Sequence, residues 1–99
     1  MNKLICELIN WQEFSKQPLT EEQISAYRNY VDWDLICKYQ TLSESFIEQH
    51  RGRVNWDLIS IHQPLSNSFI KRHFNLVDWY WVPKYQTLSN TFKQEKSNV

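Results

Sequence analysis

Ninety-nine residues, 41% of them hydrophobic and 15% aromatic, are enough for one domain with a thin core. The formal net charge is zero and there is a single Gly, which argues against nucleic acid as the first-choice partner and against a glycine-rich phosphate loop. Leu4-Ile5-Cys6 is too short for a signal peptide, Glu7 interrupts it, and no stretch approaches a membrane span, so the chain reads as cytoplasmic, within its own or a host cell.

The expected elements come as copies of one unit. Trp11, Trp33, Trp56 and Trp79 recur at intervals of 22, 23 and 23 residues, and Gln17, Gln40, Gln63 and Gln86 recur at 23. Such a period is the mark of stacked repeats. After a lead-in over 1–8, the repeats run over 9–30, 31–53, 54–76 and 77–93, with a polar tail at 94–99, all in a single domain.

In the first repeat Asn10 and Thr20 are candidate helix caps, and Ile9 and Phe14 have hydrophobic-staple spacing. This repeat departs from the others: Glu13 stands where the second and third have leucine, Gln23 where the others have phenylalanine, and one residue is missing before Gln17. The second repeat, 31–53, is the type unit. Asp32 caps a first helix through Trp33-Asp34-Leu35-Ile36-Cys37-Lys38-Tyr39, and Ser43 caps a second through Phe46, Ile47 and His50. Gly52, with Asn29 and Asn75 at the equivalent places, is expected to close the second helix in the left-handed conformation. His50, Arg51, Lys71, Arg72 and His73 lie near these ends, where positive charge suits the negative pole.

The third repeat repeats the design with Asn55 and Ser66 as caps. In the fourth, Asp78 and Ser89 are the caps, Phe92 is the last repeat aromatic and Lys93 replaces the stapling isoleucine. Pro83 falls inside its first helix, removes a bond to the carbonyl of Trp79 and should kink or shorten it.

Two helices of about eight residues per unit are too short to stand alone in water. The expectation is therefore an all-α fold, a small right-handed-type α-solenoid of four two-helix repeats of about 23 residues. Trp11, Trp33, Trp56 and Trp79 are expected in the repeat core, each burial worth on the order of 2–3 kcal/mol. Gln40, Gln63 and Gln86 are expected to bond the turn of the adjacent unit, because buried amides need partners.

Catalysis is not expected. The cap serines lie in no nucleophile elbow, the two cysteines sit at unrelated repeat positions, and no C-x-x-C or H-E-x-x-H spacing suggests a metal; no cofactor is implied. Residues 1–49 carry four Lys/Arg against eight Asp/Glu and residues 50–99 carry seven against three, so the halves are −4 and +4. That asymmetry suits a polar partner or head-to-tail self-association. Arg51, Arg53, Lys71, Arg72 and Lys84 form a candidate basic stripe, and Tyr80 with Trp81 adds bulk where the second and third units have Asp-Leu. A non-enzymatic protein-binding module, without membrane contact, is the first expectation; nucleic-acid binding through the basic half is the alternative.

The run Val-Asp-Trp-Asp-Leu-Ile-Cys-Lys-Tyr-Gln-Thr-Leu-Ser-Glu-Ser-Phe-Ile-Glu-Gln-His, residues 31–50, resembles a short tryptophan repeat found in uncharacterised proteins of large DNA viruses, phages and some microbes. The likeness is close over 31–92 and loose over 9–30. It brings no activity. It implies a viral or mobile-genome context, where short binding proteins act as inhibitors of host complexes.

Overall fold

The computed structural model describes residues 8–88, and seven helices and no strand occur among them. These are α1 (Trp11–Lys16), α2 (Glu21–Ala26), α3 (Trp33–Tyr39), α4 (Glu44–Gln49), α5 (Trp56–His62), α6 (Asn67–Arg72) and α7 (Val82–Tyr85). The fold is all-α and repeat-like, as the 23-residue period leads one to expect. Cys6, the lead-in before Leu8, the Ser89 cap with Phe92 and Lys93, and the tail at 94–99 lie outside the described residues. Two compact units divide the chain, Met1–Asn55 with α1 to α4 and Trp56–Val99 with α5 to α7.

Local side-chain bonds start most of the helices. Asn10 and Asp32 accept from the amides of Glu13 and Leu35 at 3.1 and 3.2 Å, and Ser43 and Ser66 accept from Phe46 and Phe69. Thr20 forms a full capping box: it accepts from Gln23 N at 3.1 Å while Gln23 Oε1 accepts from Thr20 N at 2.9 Å. Gln23, which departs from the repeat's phenylalanine, thus has a structural reason of its own.

The second helices do not close in the left-handed conformation, for no described residue has a positive φ. Each instead adds one more hydrogen-bonded turn. Tyr27, His50 and His73 sit at φ near −110° (−110°, −110° and −114°), and their carbonyls accept from the amides three and four residues on. That turn reaches Val31, Val54 and Val77, all buried, so the chain re-enters the core without a glycine conformation. At Gly52 an added methyl would meet nothing within 4 Å.

The fully buried apolar side chains are Ile24, Ile36, Cys37 and Ile47 in the first unit and Ile59, Phe69, Ile70 and Val82 in the second. The four tryptophans lie at their margin and are half-buried. Trp33 rests on Phe46 and His50, with ring centroids at 6.2 and 5.2 Å, and Trp56 rests likewise on Phe69 and His73. The first repeat substitutes Tyr27 and Tyr30, the latter stacked on Trp11 at 5.2 Å. Trp11, Trp33 and Trp56 therefore each cover the second-helix end of their own repeat, Trp79 lies against Phe74 at 4.7 Å, and the indole N–H groups of Trp33 and Trp79 are tied to the carbonyls of Arg28 and Phe74 at 2.9 and 2.8 Å.

Candidate functional site

Much of the polar repetition is spent on joining repeats. Gln40 Nε2 donates to Ser15 O at 2.8 Å and Gln17 O at 2.6 Å, while Leu19 N donates to Gln40 Oε1 at 3.3 Å. Gln86 does the same in the second unit, with Ser60 O and Gln63 O both at 2.8 Å and Leu65 N at 2.9 Å. One amide thus serves two carbonyls and one N–H of the preceding turn. Gln63 is buried at 2% exposure. A side chain consumed in this way is not offered to a ligand.

The position four residues after Trp11, Trp33 and Trp56 completes the joint. Ser15 and Ser60 are fully buried, donate to Trp11 O and Trp56 O, and accept from the cap amides Asp32 N and Asp78 N at 2.9 and 3.0 Å. Cys37 takes the same place, buried, with its sulfur receiving the backbone N–H of Asn55. Burial raises its thiol to about 11, the Asn55 bond opposing this and Asp34 adding to it. Cys37 and Ser60 differ between repeats at one station, yet both face inward and offer nothing to a partner.

Within each unit the residue after the earlier second cap adds another tie. Glu21 accepts both from Ser43 N at 2.6 Å and from Ser43 Oγ at 3.0 Å, and Asn67 Nδ2 donates to Thr87 O at 2.8 Å. These partners lie 20 to 22 residues apart and no local signal announces them.

Two of the basic candidates, Arg51 and Arg53, bind carbonyls at the ends of second helices. Arg51 Nη1 donates to Glu48 O at 3.3 Å and stands 3.7 Å from the Glu48 carboxylate. Arg53 Nη1 donates to Arg28 O at 2.8 Å, the carbonyl that also receives the Trp33 indole. Arg28, not singled out in the sequence, caps its own helix through Ser25 O at 2.9 Å. Arg72 lies 5.7 Å from the centroid of Phe69, and Lys71 is exposed beside it. His50 is not a positive cap: it is buried, 3.1 Å from Ser25 Oγ and 4.5 Å from the Phe46 ring, and burial, with Arg53 and Arg28 nearby, lowers its pKa. His73 is buried too, its Nδ1 2.9 Å from Phe69 O; only Nδ1–H can serve a carbonyl, which sets the tautomer.

The surface that departs from the repeat is built by Pro83. Without an amide there, the helix cannot begin at Trp79 as it does at Trp33 and Trp56, and α7 is left with four residues. Trp79 to Trp81 form a turn held by Asp78, whose Oδ1 accepts from Tyr80 N at 2.9 Å and whose carbonyl accepts from Trp81 N and Val82 N. Tyr80 is 62% exposed, Tyr85 56%, and Trp81 lies half-buried between them. The Trp81 ring meets Tyr80 edge-on at 4.5 Å and Tyr85 at 5.8 Å. Lys84 Nζ stands 3.8 Å from the Tyr80 centroid and 5.3 Å from that of Trp81, a cation held over aromatic faces. Tyr85 and Lys84 join the two expected residues because residues 80–85 are wound into one short turn and helix.

Among the described residues no group of three or more His, Cys, Asp or Glu gathers to hold a metal ion, and no helix is long and apolar enough to cross a membrane. Comparison with protein-family models, with curated proteins and with solved structures gave no match.

Proposed function

We propose that this chain is a non-enzymatic protein-binding repeat module whose contact is centred on Tyr80, Trp81, Lys84 and Tyr85. The observation that carries the reading is the exposure of Tyr80 and Tyr85 around Trp81, with a lysine ammonium lying on the rings. Trp and Tyr supply large contact area at low entropic cost and dominate interface energetics. Elsewhere in the repeats polar side chains such as Gln40, Ser15 and Gln86 are spent on internal joints. The resemblance to viral and phage repeats gives the proposal its concrete form, an inhibitor that occupies a surface of a host complex.

The test is affinity capture from a host lysate with mass spectrometry, run with and without nuclease. A protein retained after nuclease treatment, and lost with the double substitution Tyr80→Ala/Trp81→Ala, is the expected result. Loss of a hot spot of this kind is worth about 2 kcal/mol, roughly thirty-fold in Kd. Capture of nucleic acid alone, abolished by nuclease and insensitive to the double substitution, would sink the proposal.

A further inference from the structure

Successive repeats inside each unit are joined by one rule. A glutamine at the end of the later first helix donates to two carbonyls of the earlier one, and its oxygen takes an amide two residues beyond the earlier glutamine. The last described repeat presents the accepting half of this joint again. Pro83 O and Gln86 O stand at the stations of Ser60 O and Gln63 O, and no donor among the described residues reaches either. Leu88 N stands at the station of Leu65 N.

The first repeat presents the donating half. Helix α1 is a residue shorter, so Gln17 N bonds Phe14 O, three residues back, where Gln40 N and Gln86 N reach four back. Even so, Gln17 occupies the same extended C-cap station, at φ −72° and ψ 154° against −96° and 151° for Gln40. Its side chain is exposed, and its amide touches Glu13 O at 3.4 Å. The two halves of the sequence also carry opposite charge, −4 over 1–49 and +4 over 50–99.

We infer that the chain associates head to tail with further copies of itself by continuing the same joint, Gln17 of one copy serving Pro83 O, Gln86 O and Leu88 N of the next. Tyr80 belongs to this contact: it holds the station from which Asp34 Oδ1 receives Asn55 Nδ2 at 3.1 Å, so it meets Asn10 of the second copy. The joint is heterologous, with different surfaces on the two sides, and association therefore does not stop at two copies. It is weaker than the joint within a unit. Ser15 and Ser60 give a hydroxyl to the next cap amide, and Pro83 has none to give. The association is consequently reversible and depends on concentration.

Sedimentation velocity on the full chain over a concentration series tests this. The weight-average mass should climb past twice 12.1 kDa in wild type and fall back as salt is added. Gln17→Ala, whose side chain supports little of its own fold, should keep the wild-type Tm and stay at monomer mass. Pro83→Ser restores the missing hydroxyl and should shift association to lower concentration. A wild type that stays at 12.1 kDa throughout, or a Gln17→Ala variant that associates as strongly as wild type, overturns the inference. The joint shares Tyr80 with the protein-binding surface but not Gln17, so the two readings fail separately: Gln17→Ala should abolish self-association and still permit capture of a host protein, whereas failure of the protein-binding reading would leave the mass series unchanged.

Discussion

Gln40 holds three backbone groups on a single amide: Ser15 O, Gln17 O and Leu19 N. Leucine at this place would keep much of the volume and lose all three bonds. Ser15 is fully buried, so water does not replace its partner, whereas Gln17 is exposed and partly recovers. At about 1–3 kcal/mol for each buried group left unsatisfied, Gln40→Leu should cost on the order of 2–4 kcal/mol. In a domain of this size that corresponds to a fall in Tm of roughly 10–20 °C, read by calorimetry. An unchanged Tm would show that the ladder of glutamines carries no stability. The repetition at 23 residues made this role legible without coordinates, because a polar side chain kept among apolar neighbours has to be satisfied.

Helix starts were the most legible elements and helix ends the least. Thr20, Ser43 and Ser66 cap through bonds to residues three along, so the chemistry lies within one short word of sequence. Gln23 was read as a lost phenylalanine although Thr20 and Gln23 spell a capping box, so a repeat pattern masked a local one. The ends misled for another reason: Asn and Gly tolerate a left-handed turn but do not demand it, and here a further hydrogen-bonded turn replaces it. The consequence is testable at Gly52. Its φ is not positive, and the space where a methyl would point is open. Gly52→Ala should then stabilise by about 0.4–1 kcal/mol by restricting the unfolded chain, seen as a rise in the denaturation midpoint with unchanged m. A destabilised variant would mean that this turn needs the freedom of glycine. The aromatic site was half legible: Tyr80 and Trp81 stood out as a departure from Asp-Leu, and Pro83 foretold the shortened helix. The stacking of Lys84 on Tyr80, and the bond of Arg53 to Arg28 O across 25 residues, depend on how the turns meet and have no local signature.

At the scale of the whole molecule, three groups among the described residues have their protonation altered by the fold and tie stability to pH. His50 is held below its ordinary value of 6.5 by burial and by Arg53 and Arg28, so the unfolded chain takes up its proton first. Stability is then complete above about pH 6.5 and lost as the pH falls beneath it. Cys37 acts at the other limit. Its thiol, ordinarily at 9.0, is raised to about 11, so the folded chain keeps a proton that the unfolded chain gives up, and stability drains as pH rises through that interval. For a fully buried thiol this amounts to roughly 2–3 kcal/mol. Asp57, raised mainly by its bond to Asp78 with burial and the Asp78 charge adding to it, loses stability as pH climbs past 3.8; being exposed, it contributes little. Thermal unfolding should therefore show a plateau between about pH 7 and 8.5, with Tm falling on either side. Two substitutions separate the limbs. Cys37→Ser places at this station the hydroxyl that Ser15 and Ser60 already use, and should remove much of the alkaline fall while leaving the neutral Tm close to wild type. His50→Gln should flatten the acid limb below pH 6.5 and leave the alkaline limb alone. If the alkaline fall persisted undiminished in Cys37→Ser, the thiol would not be its source, and lysines and tyrosines on the surface would have to account for it.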